Sequence, residues 1–264
     1  MQFVDSHCHL DRIDLAPFEG SFEAMMEANQ AANVEHMLCI GVEQEGFPKV
    51  LSIAEQWPQV SATVGVHPLF VKAGEAVAQA WIEEQCQHPK VVGIGETGLD
   101  YFKADEGAIA DQQASFRTHI RAAKATGLPL VIHTRQAKED TLAILREEGE
   151  GQVTGVLHCF TEDLDMAQQA IDMGFYISLS GILTFANAKA LRETAKALPL
   201  SHLLIETDSP WLAPVPYRGK PNVPAYVNKV AEQLAELHGV DVATVAQQTK
   251  ENFFKLFSKA TPAA

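Results

Sequence analysis

Phe3-Val4-Asp5-Ser6-His7-Cys8-His9-Leu10-Asp11 opens the chain. Read as a β-strand, it alternates its side chains between two faces, so His7 and His9 project to one side and Cys8 to the other. Two imidazoles a short step apart on one face can reach a single cation, and neutral imidazole nitrogen is a common ligand for zinc and similar divalent metals. A strand end with two partly exposed histidines would read the same way. The weight comes from further along, where later strand-like segments also end in His, Glu or Asp.

Working outward, strand-like and helix-like segments alternate through the chain. Strands are expected over 34–40, 60–66, 91–96, 130–133, 156–158, 175–179 and 203–208, with a loop over 97–101. Helices are expected over 22–32, 47–56, 76–87, 108–125, 140–148, 164–173 and 188–197, followed by two more over 224–237 and 242–256. Short, nearly continuous apolar strands separated by helices imply a parallel sheet buried on both faces. Eight such units fit an α/β fold of the (β/α)8 TIM-barrel type better than a doubly wound sheet, and no G-x-G-x-x-G turn or P-loop is present. A chain of 264 residues suits one barrel, which typically takes about 250, so residues 1–264 are expected to form a single domain.

The formal charge is −14, from 34 acidic and 20 basic residues. Such a surface repels nucleic-acid phosphates at long range, so no broad electrostatic footprint on DNA is expected. A nucleic-acid substrate would have to be held by local positive charge. No apolar run approaches the ~20 residues that span a bilayer, and no basic-then-apolar leader opens the chain. Cys8, Cys39, Cys86 and Cys159 form no C-x-x-C pair, which points to a reduced, cytoplasmic protein. Neither a membrane nor an obligate protein partner is expected.

In a barrel the C-terminal strand ends converge on one face, where active sites form. The residues at those ends are His7, His9, His67, Glu96, His133, His158 and Asp208. All but His67 make a set of nitrogen and carboxylate ligands large enough for two divalent metals. Without cations, Glu96 and Asp208 would be two carboxylates in a partly desolvated mouth. Burying unpaired charge costs several kcal/mol per ion, so cations are the economical explanation. His36, His88, His119, His202 and His238 lie away from strand ends and are given no role.

With these residues in view, the sequence resembles the TatD-type metal-dependent deoxyribonucleases of the amidohydrolase-like barrel superfamily. The matching segments are Asp5 to Asp11, Gly65-Val66-His67-Pro68, Gly95 to Asp100, Val131-Ile132-His133, Leu157 to Phe160 and Glu206 to Pro210. Arg218 to Asn222 and Asn252-Phe253-Phe254 extend the match over essentially the whole chain. The resemblance implies that His7, His9 and Asp208 hold one metal and His133 and His158 the other, with Glu96 bridging. Many relatives in the wider superfamily bridge with a carboxylated lysine, and Glu96 occupies that place here. It implies two divalent ions, zinc, magnesium or manganese, and makes Asp208 the group that orients a water and accepts its proton.

Such a pair of ions suits hydrolysis of a phosphodiester, with DNA entering by a strand end as the expected substrate. The same site could open a carboxylic ester, a lactone or a D-aminoacyl-tRNA, and a binding protein without turnover is the reading from a different class. His67, Arg135, Arg218 and Lys220 lie just past strand ends and are candidates for substrate contact. Glu206 and Asp5 precede Asp208 and His7 by two positions and are expected to support them from deeper in the barrel. Tyr101 and Phe160 could stack on a base or pack the rim.

Overall fold

The computed structural model describes residues 1–262. Eight parallel strands pair in sequence order: β1 (Phe3–Cys8), β2 (Val34–Cys39), β3 (Val60–Val64), β4 (Val91–Asp100), β5 (Leu130–Arg135), β6 (Gly155–Leu157), β7 (Phe175–Leu179) and β8 (Leu203–Ile205). The first and last strands meet through His7 C=O, which accepts Asp208 N–H at 2.9 Å, and Ser209 C=O, which accepts His9 N–H at 2.8 Å. The result is a (β/α)8 TIM-type barrel.

The outer layer is α1 (Phe22–Ala31), α2 (Phe47–Gln56), α3 (Gln79–Gln85), α4 (Glu106–Thr126), α5 (Lys138–Gly149), α6 (Leu164–Asp172), α7 (Lys189–Ala197) and α8 (Val227–His238). Short polar side chains start several of them. Ser21, Asp105 and Asp163 each accept a backbone N–H of the first turn of α1, α4 and α6, satisfying donors that the helix leaves unpaired. Gly127 ends α4 at φ 72°, a left-handed cap that glycine adopts without steric penalty.

Two apolar layers result. One lies between the strands and the helices around them. The other fills the N-terminal end of the barrel, where Val4, Leu38, Val92, Val131 and Leu204 meet Phe253 and Phe257 of α9 (Val242–Leu256) and the turn after it. That helix therefore floors the barrel, leaving the opposite end for polar side chains.

Among the boundaries that differ from the sequence reading, three bear on the site. β4 runs through 97–100 instead of ending in a loop, because Thr97 to Asp100 pair with Ile132 to Arg135 of β5. Gly98 makes that pairing possible: it sits at φ 129°, and a Cβ there would lie 2.0 Å from His133 O. β6 stops at Leu157 and β8 at Ile205, so His158 and Asp208 follow their strands instead of closing them. Asp208 takes φ 54°, a left-handed conformation uncommon outside glycine. β1 is also not a simple alternation, since its register against β2 shifts between Asp5 and Cys8.

Candidate metal centre

All six expected ligands reach the C-terminal mouth. Glu96 stands at the centre, its two carboxylate oxygens serving different neighbours. Oε2 lies 3.4 Å from His7 Nε2 and 3.9 Å from His9 Nε2. Oε1 lies 3.3 Å from His133 Nδ1 and 2.8 Å from His158 Nε2. Asp208 joins the first side, with Oδ1 3.4 Å from His9 Nε2 and 3.6 Å from His7 Nε2. Two donor groups thus share one carboxylate.

The donor chemistry fits metal ions. His7 Nε2 and His9 Nε2 face each other at 3.3 Å. His158 Nε2 approaches Glu96 closely, yet this buried nitrogen has no aligned hydrogen-bond partner, and neither do His7 Nδ1 and His9 Nδ1. Buried polar atoms of this kind are normally satisfied, and lone pairs converging at these distances call for a cation between them. His7, His9 and Glu96 form one group with ion-holding geometry, while His67, Glu96 and His133, and His7, His158 and Glu206, form two more that cut across the expected division.

Electrostatics agree. Burial would push the Glu96 carboxyl up, but the surrounding imidazoles of His158, His67 and His133 hold it well below the usual carboxylate range. Burial likewise raises Asp208, and the hydrogen bond from His9 with the charges of His7 and His9 brings it down overall. His158 is lowered by burial but lifted well above the ordinary imidazole value by Glu96 and Glu206. His133 is lowered by burial and raised on balance by Asp100 and Glu96. The acids of this pocket draw positive charge, whether protons on the two imidazoles or metal ions.

His133 and His158 are braced from behind. Asp100 Oδ2 lies 3.1 Å from His133 Nε2, which turns Nδ1 toward Glu96, and Gln112 of α4 holds the Asp100 backbone by both its amide groups. Glu206 Oε1 is 3.3 Å from His158 Nδ1. Asp5 instead turns sideways to the backbone N–H groups of His7 and Thr207 and to the Thr207 hydroxyl, binding β1 to the segment that carries Asp208. His67 Nδ1 accepts Leu69 N–H at 3.0 Å. A neutral ring then carries its proton on Nε2, which faces Glu96 Oε1 at 3.2 Å. His67 is therefore set up as a donor to Glu96.

A cavity of about 610 Å³ opens over these groups. His67 and Arg135 line it; Arg218 and Lys220 do not and stand exposed on the outer rim. Tyr101 is tied to Asp140 at 2.7 Å, and Phe160 is buried in the core, so both pack instead of facing the cavity. The sequence reading passed over Arg12, Asp100 and Trp211. Asp100 was the most findable, because it follows Glu96 by four positions and shares its face once β4 is extended.

The sequence profile of the family described as TatD related DNase matches residues 4–258. The chain belongs to the TatD family. Among its relatives, a protein of Escherichia coli K12 named as the uncharacterized metal-dependent hydrolase YcfH is 44% identical over 257 residues, covering 97% of this chain and 96% of that one. The uncharacterized metal-dependent hydrolase YabD of Bacillus subtilis is 40% identical over 253 residues, covering 96% and 98%. The crystal structure of YJJV, a TatD homolog from E. coli K12, superposes with a TM-score of 0.88 at 30% identity, covering 97% of this chain and 98% of that one. This TatD-family protein is accordingly a metal-dependent hydrolase. Among its described residues no helix is long and apolar enough to cross a membrane.

Proposed function

We propose that this TatD-family hydrolase is a two-metal phosphodiesterase that trims DNA from strand ends. The observation that carries the reading is the division of Glu96 between two groups, His7, His9 and Asp208 on one side and His133 and His158 on the other. Those groups would each hold one divalent ion, zinc, magnesium or manganese. Divalent ions so held supply Lewis-acid polarisation of the ester and acidify water.

The chain's own residues do the rest. Asp208, fixed by its N–H on His7 C=O, accepts the proton of the attacking water. Asp100 and Glu206 keep the rings of His133 and His158 turned inward. His67 donates to Glu96 and fixes the direction of its carboxylate. Arg135 meets the phosphate nearest the site, and Arg218 and Lys220 meet nucleotides further out. The family description supports DNA as substrate. Four free cysteines fit a reducing, cytoplasmic setting.

The test is a substrate panel after reconstitution with zinc, magnesium or manganese. Release of nitrophenol from bis(p-nitrophenyl) phosphate, and of nucleotides from a linear single strand, is expected. Turnover of p-nitrophenyl acetate, a lactone or a D-aminoacyl ester without any phosphodiester cleavage would replace this reading with carboxylic-ester hydrolysis.

A further inference from the structure

The described residues expose seven large apolar side chains, and Leu69, Phe70, Phe102, Trp211 and Val215 all belong to loops that follow barrel strands. Three of them, Leu69, Phe70 and Trp211, line the cavity over the candidate metal centre. Apolar side chains left exposed around a cavity mark a binding surface. Within it Trp211 is distinctive. It is 49% exposed, and it lines the cavity beside Asp208.

The residue is also tied in place. The indole and the His9 ring lie 5.0 Å apart between centroids, at 66° to one another. Its backbone N–H donates to Asp208 C=O at 3.0 Å, and its C=O accepts from the buried Asn222 Nδ2 at 2.6 Å. The indole thus packs against a candidate metal ligand while about half of the residue stays open to solvent.

Two arginines that line the same cavity rest over other aromatic rings. Arg135 lies 3.8 Å over Phe102 and Arg12 5.4 Å over Phe70. Arg12 is engaged by Glu43 at 2.9 Å. Arg135 has no carboxylate within 4.0 Å among the described residues, although acids outnumber bases in this chain by 34 to 20. Its guanidinium is laid flat and its donor edge is free for a phosphate.

An exposed aromatic side chain and an arginine free of carboxylates, both lining one cavity, match a nucleotide strand, which carries flat bases and anions. We propose that Trp211 is the stacking platform for the base at the end of a single strand, with Arg135 taking a phosphate of the same strand. The proposal rests on the phosphodiesterase reading and adds what that reading leaves open, namely which group on the substrate is recognised. Stacking is tolerant of base identity because every base has a π face. In a duplex a terminal base is held by its pairing partner and stacked on one side, whereas an unpaired end can turn its base onto the platform, so the platform favours unpaired ends.

The test uses the whole protein supplied with metal and two single strands that differ only in their terminal residue, one with a base and one abasic. Trp211→Ala is expected to lower kcat/KM about tenfold on the strand with its base, within the range for loss of one stacked base, and to lower it much less on the abasic strand. Trp211→Phe, which keeps an aromatic face, should recover most of the loss. Independently of cleavage, a phosphorothioate strand ending in 2-aminopurine should lose fluorescence on binding the wild type and not on binding Trp211→Ala. Equal losses on both strands, or quenching that Trp211→Ala does not change, would overturn the platform. Failure of the wild type to cleave either strand or bis(p-nitrophenyl) phosphate would instead remove the phosphodiesterase reading, and the 2-aminopurine signal would still decide the role of Trp211.

Discussion

His119 sits on α4, outside the barrel wall, yet its Nε2 accepts the backbone N–H of Val66 at 3.0 Å. Its Nδ1 lies 2.8 Å from Ser115 C=O, which assigns the proton to Nδ1 and leaves Nε2 as the acceptor. The next residue is His67. A helix side chain thus sets where the β3 loop delivers a donor to Glu96.

Replacing His119 with Leu should leave the buried Val66 N–H without a partner, destabilising the protein by ~1–3 kcal/mol and lowering kcat. His119→Gln can accept from Val66 and donate to Ser115, so it should restore much of both. Urea unfolding with steady-state kinetics on the two variants checks this, and equal behaviour of Leu and Gln would remove the hydrogen bond from the account.

The same imidazole gives a pH prediction. Burial pushes His119 down to about 4, and His36 to about 4 as well, whereas a free imidazole titrates at about 6.5. Between those values the unfolded chain binds more protons, so stability rises with pH. This contribution is fully present above about 6.5 and is lost progressively toward pH 4. Relative to wild type, His119→Gln should gain roughly 2 kcal/mol between pH 7 and pH 5. Urea midpoints at the two pH values measure it; a difference that does not change with pH contradicts the buried neutral ring.

Complete chelation should abolish turnover while far-UV circular dichroism stays that of a folded barrel. The candidate ligands sit at the mouth, and the apolar layers lie between strands and helices and over α9. A fully chelated protein that keeps its activity would sink the metal assignment.

Asp208→Asn preserves shape but removes charge and basicity. It should lower kcat by at least ~10²-fold, the lower end of what a positioned acid or base contributes. Metal content has to be measured in the same sample, because Asp208 is also a candidate ligand. Wild-type kcat with full metal would reassign the proton acceptor.

Affinity for single strands should fall only gently with salt. Each phosphate neutralised adds a slope of about 0.7, and the mouth offers contacts for roughly two or three. Linear strands should be degraded in preference to closed circles. A steep slope, or a circle consumed as fast as its linear form, points to a broad binding surface instead.

The barrel was legible because apolar strands alternate with helices eight times, and the cluster of candidate ligands because His7, His9, Glu96 and His133 lie on or at the ends of those strands. What stayed hidden has physical reasons. Thr97 to Asp100 read as a loop, since glycine and polar residues rarely fill a central strand; the pairing with β5 overrides that preference. Asp5 was placed beneath His7 by simple alternation, which the register shift in β1 breaks. Arg12, Trp211 and Phe70 come together only when loops after β1, β8 and β3 are gathered by closure of the barrel, and no local pattern encodes that meeting. Nor does any local pattern mark His119 as the partner of Val66, 53 positions away.

The floor that Phe253 and Phe257 lay across the barrel has a consequence for traffic. It makes the cavity a blind alley, entered and left by one opening. On the phosphodiesterase reading proposed above, a strand end cut there would leave the small fragment innermost, with the longer piece between it and the solvent. The long piece would have to withdraw before the fragment could escape. The enzyme would then work by repeated visits, and the freed nucleotide would compete with the next end for the same space.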